Sequence, residues 1–253
     1  MIRKAAVAGM FYPAQKEKLI SLISGFFEKA KPSAAEHGII VPHAGYVYSG
    51  KTAGYGFRSI FELLKEKDKI DNIIILGPSH YVYFEGILCD ENNDWETPLG
   101  KIKLKKISEI KENKIAHAKE HSIEVQVPFI QFIAEKLKRE LTITPLIVGE
   151  LTQFEVRQYA EILLKQKNCF FVISSDLSHY LNLAYAQKID KETIDNIINM
   201  KTEKLEACGK IPIMIAIEMA KLKGWRFKLL DYSTSAESSG DKNAVVGYAA
   251  IGF

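Results

Sequence analysis

The chain has 253 residues, 47% of them hydrophobic and 26% charged, a mixture that supports a buried core and excludes a disordered polymer. Its 34 basic and 31 acidic residues leave a net charge of +3; the lysines interleave with glutamates on helix-like segments and form no basic stripe, which excludes nucleic acid as a partner. Cys89, Cys169 and Cys208 are far apart and outside any CxxC pattern, which excludes a disulfide framework or a zinc knuckle and places the protein in a reducing, cytoplasmic compartment.

The amino-terminal stretch reaches Pro13 before any long apolar run, so it is not a secretory signal. No segment approaches the roughly 20 apolar residues that span a bilayer, and no membrane association is expected. Apolar residues at helical spacing predict a first helix from Gln15 to Ala30, closed by the turn-prone Lys31-Pro32-Ser33. Gly38-Ile39-Ile40-Val41 is a short β-branched run suited to a buried strand, and Pro42 breaks it just before His43. A helix follows from Thr52 to Lys67, then a second buried strand, Asn72 to Leu76, stopped by Gly77-Pro78 and followed by Ser79-His80.

The pattern continues with a helix from His121 to Lys138, a strand from Thr142 to Val148 and a helix from Phe154 to Lys165. A further strand, Phe170 to Ile173, leads through Ser174-Ser175-Asp176-Leu177-Ser178 to His179. Two more helices, Ala184 to Asn199 and Glu203 to Lys223, precede a hairpin made of Trp225 to Asp231 and Ala244 to Ile251, joined through the turn-rich Ser238 to Asn243. Parallel neighbours need crossover connections, so the alternation predicts an α/β fold: one domain over residues 1–253, with a mostly parallel sheet between helices.

In such sheets ligands sit beyond the carboxyl ends of the strands. His43, His80 and His179 all follow strands, and one pocket there could hold all three as ligands of a metal with an open coordination position. Taken singly, a histidine there is more readily a strand-end residue bonded to backbone; three at equivalent positions favour a metal or catalysis. Asp176 could orient an imidazole, bind metal or cap the following helix. His121 is the better pocket candidate of the pair His117 and His121, because Ala116-His117-Ala118-Lys119 reads as an exposed helix start; Glu124, one turn on, could partner His121 or act as a cap. His37 reads as a surface residue. Tyr46, Tyr48, Tyr81, Tyr83 and Trp95 could line the pocket or pack in its rim.

A competing pattern lies at Gly45 to Thr52, GYVYSGKT, which matches the phosphate-binding G-x-x-x-x-G-K-[ST] loop between a strand and a helix, with Asp176 available to hold magnesium. Against nucleotide hydrolysis, Tyr46-Val47-Tyr48 puts bulky residues where small ones let backbone N–H groups wrap a phosphate.

Pro42-His43-Ala44-Gly45-Tyr46-Val47-Tyr48-Ser49-Gly50, Leu76-Gly77-Pro78-Ser79-His80, Glu120 to Gln126 (EHSIEVQ) and Ser174 to Tyr180 (SSDLSHY), with Ala8 to Pro13 and Tyr248-Ala249-Ala250, resemble the signature segments of the Memo family across nearly the whole chain. The resemblance implies a three-layer α/β/α sandwich similar to the LigB-type extradiol dioxygenases, which open catechol rings with non-haem iron. It implies His43 and His80 as metal ligands and His179 as a third ligand or an acid–base group; His121 and Asp176, read from their own positions, are further candidates for the chemistry. Iron or copper is the favoured metal, with zinc as another option, and the expected partner is a small molecule or a peptide, turned over or simply bound. Some Memo proteins carry a cysteine in the late segment near this pocket; here that segment reads Ser235 to Asp241, and Glu237 or Asp241 could substitute or lie in a solvated turn.

Overall fold

In chain order the elements are β1 (Ile2–Arg3), α1 (Lys16–Lys29), β2 (Gly38–Val41), α2 (Tyr46–Glu66), β3 (Asn72–Pro78), β4 (Ile87–Cys89), β5 (Asp94–Thr97), β6 (Gly100–Lys103), β7 (Lys111–Glu112), α3 (Lys114–Ala118), α4 (His121–Glu124) and α5 (Val127–Leu137). They continue with β8 (Thr142–Val148), α6 (Gln153–Leu164), β9 (Cys169–Ser174), β10 (His179–Leu181), α7 (Leu183–Ile198), α8 (Lys210–Lys223), β11 (Lys228–Thr234), α9 (Ala236–Ser239) and β12 (Val245–Gly252). The computed structural model describes residues 1–31 and 35–253; the turn expected at Pro32 and Ser33 lies outside them.

The strands β2, β9, β3 and β8 are parallel neighbours at the centre of the main sheet, whose order is β10-β12-β2-β9-β3-β8-β4-β7, with β11 also on β12. They are the apolar runs read from the sequence, and being covered on both faces they need no polar alternation. Outside them the sheet is mixed rather than mostly parallel. β12 runs antiparallel to β2, β10 and β11, and β4 runs antiparallel to β8. Of these antiparallel pairs only β11 and β12 follow one another as strands, joined through α9; the others bring together strands separated in the chain by several elements.

Successive strand residues enter opposite cores. Ile39, Val41, Ile73, Ile75, Phe170 and Val172 pack with Leu19 and Ile23 of α1, Phe57 and Ile60 of α2, and Phe129 of α5. Ile40, Ile74, Leu76, Phe171 and Ile173 pack with Val156 and Leu163 of α6, Ile194 of α7, and Ile213 and Ala216 of α8. The result is a three-layer α/β/α arrangement whose four parallel strands all end on one edge. His43, His80, Gly149 and Asp176 follow β2, β3, β8 and β9 on that edge.

Several boundaries differ from the sequence reading. The helix expected from Thr52 begins at Tyr46, so the Gly-Lys-Thr stretch is helical: the Tyr48 and Ser49 N–H groups donate to Gly45 O at 2.8 and 3.1 Å. Those donors are spent inside the helix, and the phosphate-loop reading is overturned. The expected His121 to Lys138 helix breaks between Glu124 and Val127, where Pro128 starts α5. Residues 203–209 precede α8 and are not part of it. His117 is fully buried, with Nε2 against Leu88 O at 3.0 Å, and is no exposed helix start. His37 is half-buried and stacks on Trp225 with ring centroids 4.2 Å apart.

Candidate metal centre

His43 is buried, and its surroundings fix which nitrogen is free. Gln126 Nε2 donates to Pro42 O at 2.9 Å and to Ser174 Oγ at 2.8 Å, while Ser174 Oγ donates to Ser122 O at 2.5 Å. The Ser174 hydroxyl has therefore used its single proton and accepts from His43 Nδ1, 3.0 Å away. That leaves the His43 Nε2 lone pair bare, and Cys208 Sγ stands 3.2 Å from it. Burial, followed by the neighbouring His80, His121 and His179, pushes the His43 pKa well down and keeps the ring neutral.

His80 is held by Glu120. One carboxylate oxygen lies 2.9 Å from His80 Nδ1 and also accepts the Ser122 N–H at 2.9 Å; the other accepts the His80 backbone N–H at 2.7 Å. Burial raises the Glu120 pKa, but the hydrogen bonds from His80 and Ser122 outweigh it and bring it to about 2. An ionised Glu120 takes a proton from Nδ1 into the hydrogen bond, so Nε2 is the free nitrogen of His80, as in carboxylate–histidine–metal arrangements.

The ligand atoms of His43, His80 and Cys208 lie within 4.8 Å of one another. Cys208 was not singled out from the sequence; it sits on the loop before α8, where no CxxC or histidine spacing marks it, and only the tertiary fold delivers it. Burial and the charge of Asp176 push its pKa up to about 12, so the metal-free thiol is protonated and its S–H faces His43 Nε2. The donor set of two imidazole nitrogens and one sulfur, each with a lone pair or an exchangeable proton to offer, fits a zinc, iron or copper ion.

The other expected residues are placed as follows. Asp176 is buried, and its Oδ1 accepts the backbone N–H of His43 at 2.7 Å and of Ala44 at 3.3 Å, so it orients the loop and not the ring. Burial raises its pKa to about 6. His121 stacks on His80 at 4.5 Å and lies tilted against Phe11 at 4.7 Å; its Nδ1 stands 3.5 Å from Glu120, and burial followed by His80 lowers its pKa to about 4. His179 is exposed and stands apart from the His43, His80 and Cys208 group, although its charge acts on both His43 and Asp176.

Glu124 does not partner His121. It takes Arg3 Nη1 at 2.6 Å, the Ala6 and Val7 N–H groups and the Tyr12 hydroxyl, tying the amino-terminal segment to the site. Glu237 pairs with Lys51 at 3.4 Å and Asp241 caps a turn at Asn243; both are exposed and neither is part of the ligand group. Tyr46 and Trp95 are core residues, bonded to Val125 O and Asp90. Tyr81 and Tyr83 are exposed and, with His80, Cys208, Lys210 and Met214, line a crevice of about 670 Å³ that opens on the cluster.

A family model described as Memo-like protein matches residues 3–252. The chain is 37% identical to a MEMO1 family protein of Aquifex aeolicus, covering 100% of this chain and 99% of that one. It is 34% identical to one of Thermoplasma volcanium, covering 99% and 98%, and 35% identical to one of Nitrosopumilus maritimus, covering 100% of both.

Proposed function

The chain belongs to the Memo family, and from that premise we propose a metal-dependent redox protein of the cytoplasm. In this reading His43, His80 and Cys208 hold one iron or copper ion, and the crevice takes a small molecule or a peptide segment. The observation that carries it is the convergence of two imidazoles and a thiol, the rings held by Ser174 and Glu120 and the sulfur by the Asp176 N–H. A LigB-type oxygenase reaction is the form of this chemistry that the family resemblance implies.

A bound iron or copper ion would supply one-electron chemistry and Lewis acidity. The protein's own part is to keep His43 neutral by burial, to fix the His80 tautomer through Glu120, and to give up the Cys208 proton when the thiol becomes a ligand. His179 holds or releases a proton at the solvent side, next to Asp176. The helix α8 and the loop after β3 form the walls that exclude water from one side of a ligand.

Metal analysis by mass spectrometry of untagged protein purified without chelators tests the reading. Near-stoichiometric iron or copper that is lost in folded His43→Ala/His80→Ala and in Cys208→Ala is expected. Wild-type protein that neither carries nor takes up metal would sink it. The exposed rings of Tyr81 and Tyr83 along the crevice favour a second reading, a binding module for a peptide or small ligand. Peptide affinity that survives metal removal would select it, as would oxygen uptake that stays at background with candidate catechols in iron-loaded protein.

A further inference from the structure

The carboxylate that holds His80 faces a second imidazole. Glu120 is buried, and its Oε1, already 2.9 Å from His80 Nδ1, stands 3.5 Å from His121 Nδ1. That His121 nitrogen is itself buried and makes no hydrogen bond among the described residues. Its ring is held on three sides, by His80 with centroids 4.5 Å apart, by Phe11 at 4.7 Å and by Tyr81 edge-on at 5.9 Å.

Two features of this corner call for a cation. A buried carboxylate is costly to desolvate and persists where a counter-charge holds it. Among the described residues the basic groups within ion-pair reach of Glu120 are His80 and His121, charged only when protonated. Arg3 spends its guanidinium on Glu124 and on the His117 and Glu120 carbonyls. The spacing also suits an ion. Ligand atoms about 2.0–2.1 Å from a tetrahedral ion stand about 3.3 Å from one another. The distances of 2.9 and 3.5 Å to Glu120 Oε1 bracket that value, and all three ligand atoms lie within 4.8 Å of one another.

We propose that His80, Glu120 and His121 form a second metal site, for zinc, beside the His43, His80 and Cys208 group. Two imidazoles and one carboxylate are a zinc donor set with a coordination position left open; magnesium and calcium, which take oxygen ligands, are poorly served by it. His80 is common to both groups: Nδ1 serves the zinc, and Nε2 is left for the group with His43 and Cys208. With this site alone filled, the Nδ1 proton moves to Nε2; with both filled, it leaves to solvent and the ring bridges the two ions. The zinc site does not depend on metal at the first group.

Zinc per folded chain, counted by mass spectrometry after equilibrium dialysis against Zn(II), tests the site without reference to activity. Wild-type protein is expected to hold two ions. His43→Ala/Cys208→Ala strips the first group to His80 alone and is expected to hold one. Adding His121→Phe, which keeps a ring between Phe11 and His80, is expected to bring the count to zero. A zinc-free His43→Ala/Cys208→Ala chain overturns the proposal, and so does a count that His121→Phe leaves unchanged. A single ion in wild-type protein that His121→Phe removes would uphold this site and sink the first. Should the variants fail to fold, zinc-soaked wild-type crystals decide: anomalous density between His80, Glu120 and His121 supports the site, and its absence overturns it.

Discussion

Asp176 stands at the end of β9 with its carboxyl held at about 6, and that position has a thermodynamic consequence. An unfolded aspartate titrates near ~3.9, so the folded chain binds this proton more tightly than the unfolded one. Below about pH 4 both states are protonated and the group is neutral in the balance; as the pH rises through about 6 the ionised, buried carboxylate costs stability. Asp176→Asn, which keeps an acceptor for the His43 N–H, is therefore expected to stabilise metal-free protein by about 2 kcal/mol at pH 8 and by almost nothing at pH 4. Thermal melts at the two pH values measure this, and a variant less stable at pH 8 would contradict it. His43 and His80 were legible in the sequence because each follows an apolar strand and a breaker. Cys208, Glu120 and Ser174 were not, because what matters about them is a contact across tens of residues, and no local pattern encodes it.

At the scale of elements, the glycine-lysine-threonine stretch of α2 shows how a short pattern misleads. Gly50 faces α1, and a Cβ there would lie 2.4 Å from the Phe26 ring. The glycine exists for close packing of two helices, and the segment's N–H groups are already bonded. Gly50→Ala is expected to destabilise the fold by roughly 1–3 kcal/mol, as overpacked sites do. The exposed Lys51→Ala is expected to stay within about 0.5 kcal/mol of wild type. Denaturant melts check both, and ATP titration by calorimetry should give no heat with the wild-type protein. The strands 38–41 and 142–148 were read with their observed limits, since β-branched runs bounded by breakers admit few alternatives. The short strands β4 to β7 went unread: at two to four residues, several of them half polar, they are set by pairing partners and not by their own sequence.

At the scale of the whole molecule, the amino-terminal segment is part of the site's frame. Arg3 reaches Glu124 at 2.6 Å, the His117 and Glu120 carbonyls at 2.7 and 3.0 Å, and the Trp95 ring at 4.1 Å. Phe11, on the same segment, lies against His121. Removing one partner of a buried pair strands the other charge, so Glu124→Ala is expected to cost about 3–5 kcal/mol. Since 1 kcal/mol corresponds to ~2–4 °C for a chain of this size, scanning calorimetry should show a drop on the order of 10 °C. A drop of a degree or less would mean that the segment is held by other contacts.

The placement of β12 sets a timetable for synthesis. This strand lies between β2 and β10, and its Gly247 grips the residues just before His179. At about 5–20 residues per second, the ribosome needs roughly ten to forty seconds to travel from His43 to Val245. During that interval β2 lacks one of its two neighbours, and Cys208 is made before β12. Assembly of the histidine cluster therefore waits on a strand made long after His43, and a chaperone or metal donor acting on it would meet a chain already synthesised through β12.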